Sequence, residues 1–236
     1  MNQSAYELTG RMMTEQTRRL EAITDNLANS ATPGYRRTQV STPSFDQVLQ
    51  GTADPSRRSM DLTNGGFRNT GVPTDFAITG SGFFVLEKDG REFLTRNGQF
   101  AVAGDGRLTT PSGFAVLGED GPINLPPDVD MSRMNVDGDG TVRADGQALG
   151  RLRITEPADA GLLERVGPSL LRLPAGAATR TPPEFSVTNR SLEGSNTSVF
   201  QEMADMMSSF RSFQMCHKLL QTQDASQSSM IKTYSA

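Results

Sequence analysis

The sequence predicts an α+β chain. Long N- and C-terminal helices pair as a coiled-coil-like unit, and a central all-β region is antiparallel and sandwich- or barrel-like. Three observations carry this. Tyr6, Met13, Leu20 and Leu27 recur every seven residues near the start. Val199, Met203, Met206, Phe210, Phe213, His217 and Leu220 recur at alternating steps of four and three near the end. Both are helical seams, the second close to a heptad. Between them lie all 13 prolines, from Pro33 to Pro183, and 20 of the 23 glycines fall between 41 and 190, so the breakers of regular helix are confined to the middle.

The first helix is predicted over Asn2–Ala28, with Ala5, Leu8 and Met12 widening its apolar stripe. Pro33 disfavours helix at Thr32, and Gly34 readily takes positive φ, so the helix ends before Asn29-Ser-Ala-Thr-Pro-Gly34. Residues 36–74 read as an extended linker with a short helix at Phe45–Leu49. Strands and turns begin at Asp75. Phe76–Thr79, Phe83–Leu86, Phe93–Thr95, Gln99–Val102, Arg107–Thr109 and Phe114–Leu117 are separated by Gly- and Asp-rich turns, the rhythm of an antiparallel sheet. Asn135-Val136, Thr141-Val142 and Leu149–Ile154 continue it more loosely, and 174–186, with three prolines, reads as loop. The last helix starts near Asn196–Ser198, where Ser198 and Gln201 fit a capping box, and runs to about Gln223 or on to Tyr234. The domains are therefore 1–35 with 191–236 as the helical part, 36–74 as linker and 75–190 as the β-rich part.

At 236 residues the chain can bury a sizeable core. Its net charge is −4, and neither end is basic enough to bind nucleic acid or anionic lipid. No apolar run reaches the ~20 residues of a membrane span. The first ten residues lack a cationic start followed by an apolar stretch, so no Sec-type signal peptide is read.

Catalytic patterns are missing. Asp137-Gly-Asp-Gly-Thr141 begins like a calcium loop, but Val142 and Ala148 stand where that loop needs Gly and Glu. Gly80-Ser-Gly82 lacks the flanks of a nucleophile elbow. No G-x-G-x-x-G follows a strand. His217 is the only histidine and Cys216 the only cysteine, and on a helix the two point about 100° apart. No catalytic, cofactor or metal site is assigned, and no role is read for Cys216 or His217. Eight of 11 methionines lie in 1–40 and 191–236, which suits helical ends that repack against several neighbours.

Asn26-Leu27-Ala28-Asn29-Ser-Ala-Thr32-Pro-Gly34-Tyr35 resembles the N-L-A-N-x-x-T-x-G-[YF] signature of flagellar basal-body rod and hook proteins. Asp75–Phe84 is similar to the D-x-A-I-x-G-x-G-F-F segment of that family. Thr95-Arg-Asn-Gly98 and Gly106-Arg-Leu108 resemble its T-R-N-G … G-x-L continuation. Leu192-Glu-Gly-Ser-Asn196, Glu202-Met203 and Arg211 resemble its C-terminal helix pattern, with Thr197 where Val is common. The Ala31–Arg36 wording, the length and the single β region look most like a proximal rod subunit, with a distal rod or hook-type subunit as the near alternative.

The resemblance implies a non-enzymatic structural protein of the basal body. It would pass the flagellar export apparatus without a cleaved signal. It would then assemble in the periplasm with copies of itself and other rod proteins into a hollow axial shaft. The interface residues implied are Tyr6, Met13, Leu20, Leu27, Val199, Met203, Met206, Phe210, Phe213 and Leu220. A secreted β-domain enzyme would instead need a carboxylate pair in a cleft. An assembly cap would form a finite complex.

Overall fold

A computed structural model describes residues 2–40, 58–127, 129 and 131–234, with the backbone alone for helical residues 2–8, 223, 224 and 226–234. The helix expected at Phe45–Leu49 lies outside the described residues. Two compact units form. One holds Met1–Ala28, Thr38–Asp61 and Ser198–Ala236, and the other holds Asn29–Arg37 and Leu62–Thr197.

In the first unit, α1 spans Asn2–Ala28 and α2 spans Val199–Tyr234. The Glu202 amide donates to the Ser198 carbonyl at 2.9 Å, which makes Ser198 the N-terminal cap of α2. The Gln201 side chain does not reach back, as a capping box requires. It donates to Asp205 one turn further on, at 3.3 Å. The two helices pack side by side and antiparallel, since Asn26 at the end of α1 donates to Glu202 at the start of α2 at 3.3 Å.

The face that α2 buries is Glu202, Ser209 and Cys216, spaced by seven, and α1 buries Thr9, Ala22, Ile23 and Asn26. Met13, Leu20, Leu27, Val199, Met206, Phe213 and Leu220 are half-buried beside that face, and Met203 and Phe210 are exposed. The side chain of Tyr6 lies outside the described residues. On α1 the hydroxyls of Thr14, Thr17 and Thr24 donate to the carbonyls of Gly10, Met13 and Leu20 at 2.7–3.0 Å, so this polar surface satisfies itself. A short antiparallel ribbon of β1 (Thr38–Val40) and β2 (Arg58–Met60) completes the unit.

The second unit carries the sheet. β3 (Phe67–Asn69) precedes β4 (Phe76–Gly80), β5 (Phe83–Lys88), β6 (Arg91–Thr95), β7 (Ala101–Val102), β8 (Leu108–Thr109), β9 (Ala115–Gly118) and β10 (Gly121–Pro122). Then come β11 (Asn135–Val136), β12 (Thr141–Ala144), β13 (Gln147–Arg151) and β14 (Ile154–Pro157). The last are β15 (Glu164–Arg165), β16 (Leu170–Arg172), β17 (Thr179–Arg180), β18 (Phe185–Asn189) and β19 (Ser191–Glu193). Every described pairing is antiparallel, and the main sheet is ordered β15-β16-β6-β5-β9-β8-β7. β5 is its hub. One edge takes β6, and the other is shared by β9 at Leu86–Glu87 and β14 at Phe83–Phe84. That double use explains its continuous apolar run, Phe83-Phe-Val-Leu86, all of it buried.

Phe76, Phe84 and Phe100 meet edge to face at 5.2–5.9 Å in the core, with Leu86, Leu108, Val116, Ile123 and Val142 around them. The stretch 174–186, expected as loop, contributes β17 and the start of β18. β18 pairs with β4 along five residues yet buries only Val187, so its alternation is too sparse to read as a strand.

Among the described residues the helix pair buries three apolar side chains fully (Ala22, Ile23 and Cys216), far fewer than the sheet unit. Its amides should therefore open more easily. In dilute protein, the Ser209 and Phe210 amides are expected to exchange roughly a hundredfold or more faster than those of Val85 and Leu86. Equal protection, measured by hydrogen exchange, would show that the helix pair is stable on its own.

Candidate functional site

Three stretches that stand far apart in sequence converge within the sheet-bearing unit: Asn29–Arg37, the turn after β6, and the end of β19. At their centre is Glu193, with none of its side chain exposed. Its Oε1 accepts from Arg36 Nη2 at 2.8 Å and from the Gly65 amide at 2.9 Å. Its Oε2 accepts from Arg96 Nη1 at 3.2 Å. Both arginines are also buried, Arg36 at 1% and Arg96 at 3% exposure.

Two cations therefore face one anion. Part of the surplus positive charge, that on Arg96, is met by dipoles and by the attraction of Glu156. Arg96 donates to the carbonyls of Ile78 and Gly80 at 3.1 and 2.7 Å, and its guanidinium lies 5.2 Å from the Phe83 ring. Burial pushes the Arg96 guanidinium down to about 10, Glu193 opposes that fall and Arg36 adds to it, so Arg96 keeps its proton at neutral pH.

The turn that delivers Arg36 depends on Gly34. Its φ is +68°, in the left-handed region, and its amide donates to the Glu193 carbonyl at 2.8 Å. A Cβ there would lie 2.2 Å from the Asn97 amide nitrogen, so the chain also needs glycine for the close approach. Gly98 has the same role on the other side, where a Cβ would lie 1.7 Å from the Phe76 carbonyl oxygen. Asn196 closes the arrangement. Its Oδ1 accepts from the Arg37 amide at 2.7 Å, its amide donates to the Tyr35 carbonyl at 3.4 Å, and its Nδ2 donates to the Thr63 carbonyl at 3.0 Å.

The signature residues divide between the two units. Asn26 acts in the helical unit, where its side chain pairs with the Thr38 backbone in both directions, at 2.8 and 2.9 Å. Leu27 is half-buried and Ala28 exposed. In the other unit the Thr32 hydroxyl donates to Asn29 Oδ1 at 3.2 Å, and Gly34 and Tyr35 are buried. The sequence signature did not single out Arg36, Arg96 or Glu193 as partners, although each stands inside a recognised motif. The Asp137–Thr141 turn is closed by its own neighbours. Asp139 accepts from the Thr141 amide and hydroxyl, and Asp137 pairs with Arg143 at 2.7 Å. His217 is exposed and its Nε2 meets Gln221 at 3.2 Å.

Comparison with known proteins matches three segments. Residues 8–36 match the family "Flagella basal body rod protein". Residues 77–144 match "Flagellar hook protein FlgE/F/G D1 domain", and 188–233 match "Flagellar basal body rod FlgEFG protein C-terminal". The flagellar basal-body rod protein FlgF of Salmonella typhimurium is 31% identical over 245 residues, covering 95% of each chain. FlgF of Caulobacter vibrioides is 28% identical over 232 residues, covering 93% of each. The rod protein FlgG of Agrobacterium fabrum is 30% identical over 256 residues, covering 95% of this chain and 96% of its own. The chain belongs to the flagellar basal-body rod protein family.

Two substitutions check the geometry. Glu193→Gln removes the carboxylate that bridges two buried guanidinium groups and is expected to cost about 3 kcal/mol or more in urea unfolding. Gly34→Val adds a strained φ and a backbone clash, and is expected to destabilise the sheet-bearing unit by roughly 2–4 kcal/mol. In cells it should block rod completion. Complete rods with Gly34→Val would show that the turn tolerates a side chain at this position.

Proposed function

We propose that the chain is a structural subunit of the flagellar basal-body rod, without enzymatic activity. It assembles with copies of itself and with other rod proteins through its terminal helices, after meeting the export apparatus in transit. The observation that carries this reading is an apolar stripe on α2. Phe200, Met203, Met207 and Phe210 are 87%, 48%, 60% and 53% exposed, at steps of three and four that put them on one face. The face that α2 turns toward α1 is built from Glu202, Ser209 and Cys216 instead.

The fully buried positions of α2 are thus small or polar, while four of its large apolar side chains stay exposed. An exposed apolar stripe of this kind marks an association surface. Methionine lets such a surface repack against non-identical neighbours. Coiled-coil-like packing between subunits then uses the outer stripe, and a heterologous contact that does not close yields a helical tube.

A rod position is favoured over a hook position by coverage. The rod proteins named above match nearly the whole chain, whereas the hook protein FlgE of Brucella abortus biovar 1 matches 45% of this chain and 28% of its own length. The proximal rod is the first choice within the rod and the distal rod the alternative.

Phe210→Ala tests the stripe. In the dilute chain the ring is about half exposed, so the loss should be no more than about 0.5 kcal/mol. Buried in an assembled wall, the same truncation should cost roughly 3–5 kcal/mol. Secretion and the sheet unit should survive while motility and basal-body yield fall. Normal swimming with normal rod yield would remove Phe210 from the interface.

A further inference from the structure

The three matched family segments leave out 145–187. That stretch nevertheless holds the signature in place. β15 and β16 form a hairpin, paired at Glu164↔Arg172 and Arg165↔Leu171. β16 in turn pairs with β6 at Leu170↔Thr95 and Leu171↔Leu94, and the Thr95 hydroxyl donates to the Ser169 carbonyl at 2.7 Å. The hairpin is therefore anchored on the residue before Arg96.

Its other strand reaches the signature. The Arg165 guanidinium lies 4.4 Å from the centre of the Tyr35 ring, and Arg165 Nη2 donates to the Arg36 carbonyl. Arg165 Nη1 donates at 2.7 Å to the Pro168 carbonyl in its own hairpin loop, which fixes the plane of the group. One guanidinium thus uses a face and two edges at once. A lysine cannot do this, because its ammonium is a point donor without a plane.

Tyr35 and Arg36 are each 1% exposed, so the strap closes over a segment already turned inward by Gly34. It fastens the backbone of Arg36, and the side chain of that same residue enters the Glu193 triad.

We propose that the β15–β16 hairpin is a strap that locks Tyr35–Arg36 onto the sheet, with Arg165 as its positioning residue. The strap is made within one chain, so it goes beyond the rod assignment and does not depend on it. It gives part of the 145–187 stretch a task of its own, the fixing of the chain as it leaves the signature. Glu164 and Arg172, paired at 2.8 Å and about half exposed, only close the hairpin rim.

The test uses the full chain and residue-resolved hydrogen exchange. The reporters are the amides of Gly34, Tyr35 and Arg37, which donate to Glu193, Thr32 and Asn196. Losing a stacked, charge-assisted donor should speed their exchange roughly ten- to a hundredfold in Arg165→Met, with Val85 and Leu86 unchanged. Arg165→Lys keeps the charge and should still exchange several-fold faster than wild type, roughly as far as one lost planar contact allows. Arg172→Met, on the same hairpin, should leave the three amides as they were. Unchanged exchange in Arg165→Met overturns the strap. So does wild-type protection in Arg165→Lys, which would make charge alone sufficient. A parallel loss at Val85 and Leu86 in both Arg165 variants would reduce Arg165 to a general stability residue and also overturn it.

Discussion

A carboxylate sealed from water is tolerated only when donors surround it, and Glu193 is such a group. Its donors come from Arg36, Gly65 and Arg96, which stand 157, 128 and 97 residues away in sequence. None of the three segments can leave without stranding charge in the interior. The pairing therefore selects one arrangement of the chain more than it adds stability, since a well-packed apolar cluster could match its energy. The glycines around it follow from the same demand. Gly34 and Gly98 let the backbone of the Arg96–Gly98 turn be approached from two sides, which brings Arg36 within reach of the carboxylate.

Much of this was legible in the sequence. The bounds of α1, the start of α2 and the strands from Phe76 to Gly118 follow from periodicity, breakers and turn residues. The signature, the T-R-N-G turn and the Leu192–Asn196 stretch were each recognisable as motifs. Their meeting point was not legible, because a salt bridge between residues 36, 96 and 193 leaves no local pattern. Glu193 reads as a surface acid until three distant segments enclose it. β18 was missed for a similar reason, since its pairing with β4 is specified by backbone hydrogen bonds rather than by its own apolar residues.

The helical unit shows where periodicity misleads. None of the described seam residues, Met13, Leu20, Leu27, Val199, Met203, Met206, Phe210, Phe213 and Leu220, is fully buried in the helical unit. On α2 the buried face follows Glu202, Ser209 and Cys216, and Asn26 meets Glu202 across it. A polar contact of this kind fixes alignment at little gain in stability. Phe200, Met203, Met207 and Phe210 are left exposed on the opposite side of α2.

A double-mutant cycle on Arg36→Met and Arg96→Met tests the role of Glu193 most directly. Either arginine alone leaves the carboxylate one cationic partner, whereas removing both leaves it buried without any. Unfolding in urea should therefore show a double variant destabilised beyond the sum of the singles by about 1–3 kcal/mol. Additivity within about 0.5 kcal/mol would contradict a shared anion holding both segments.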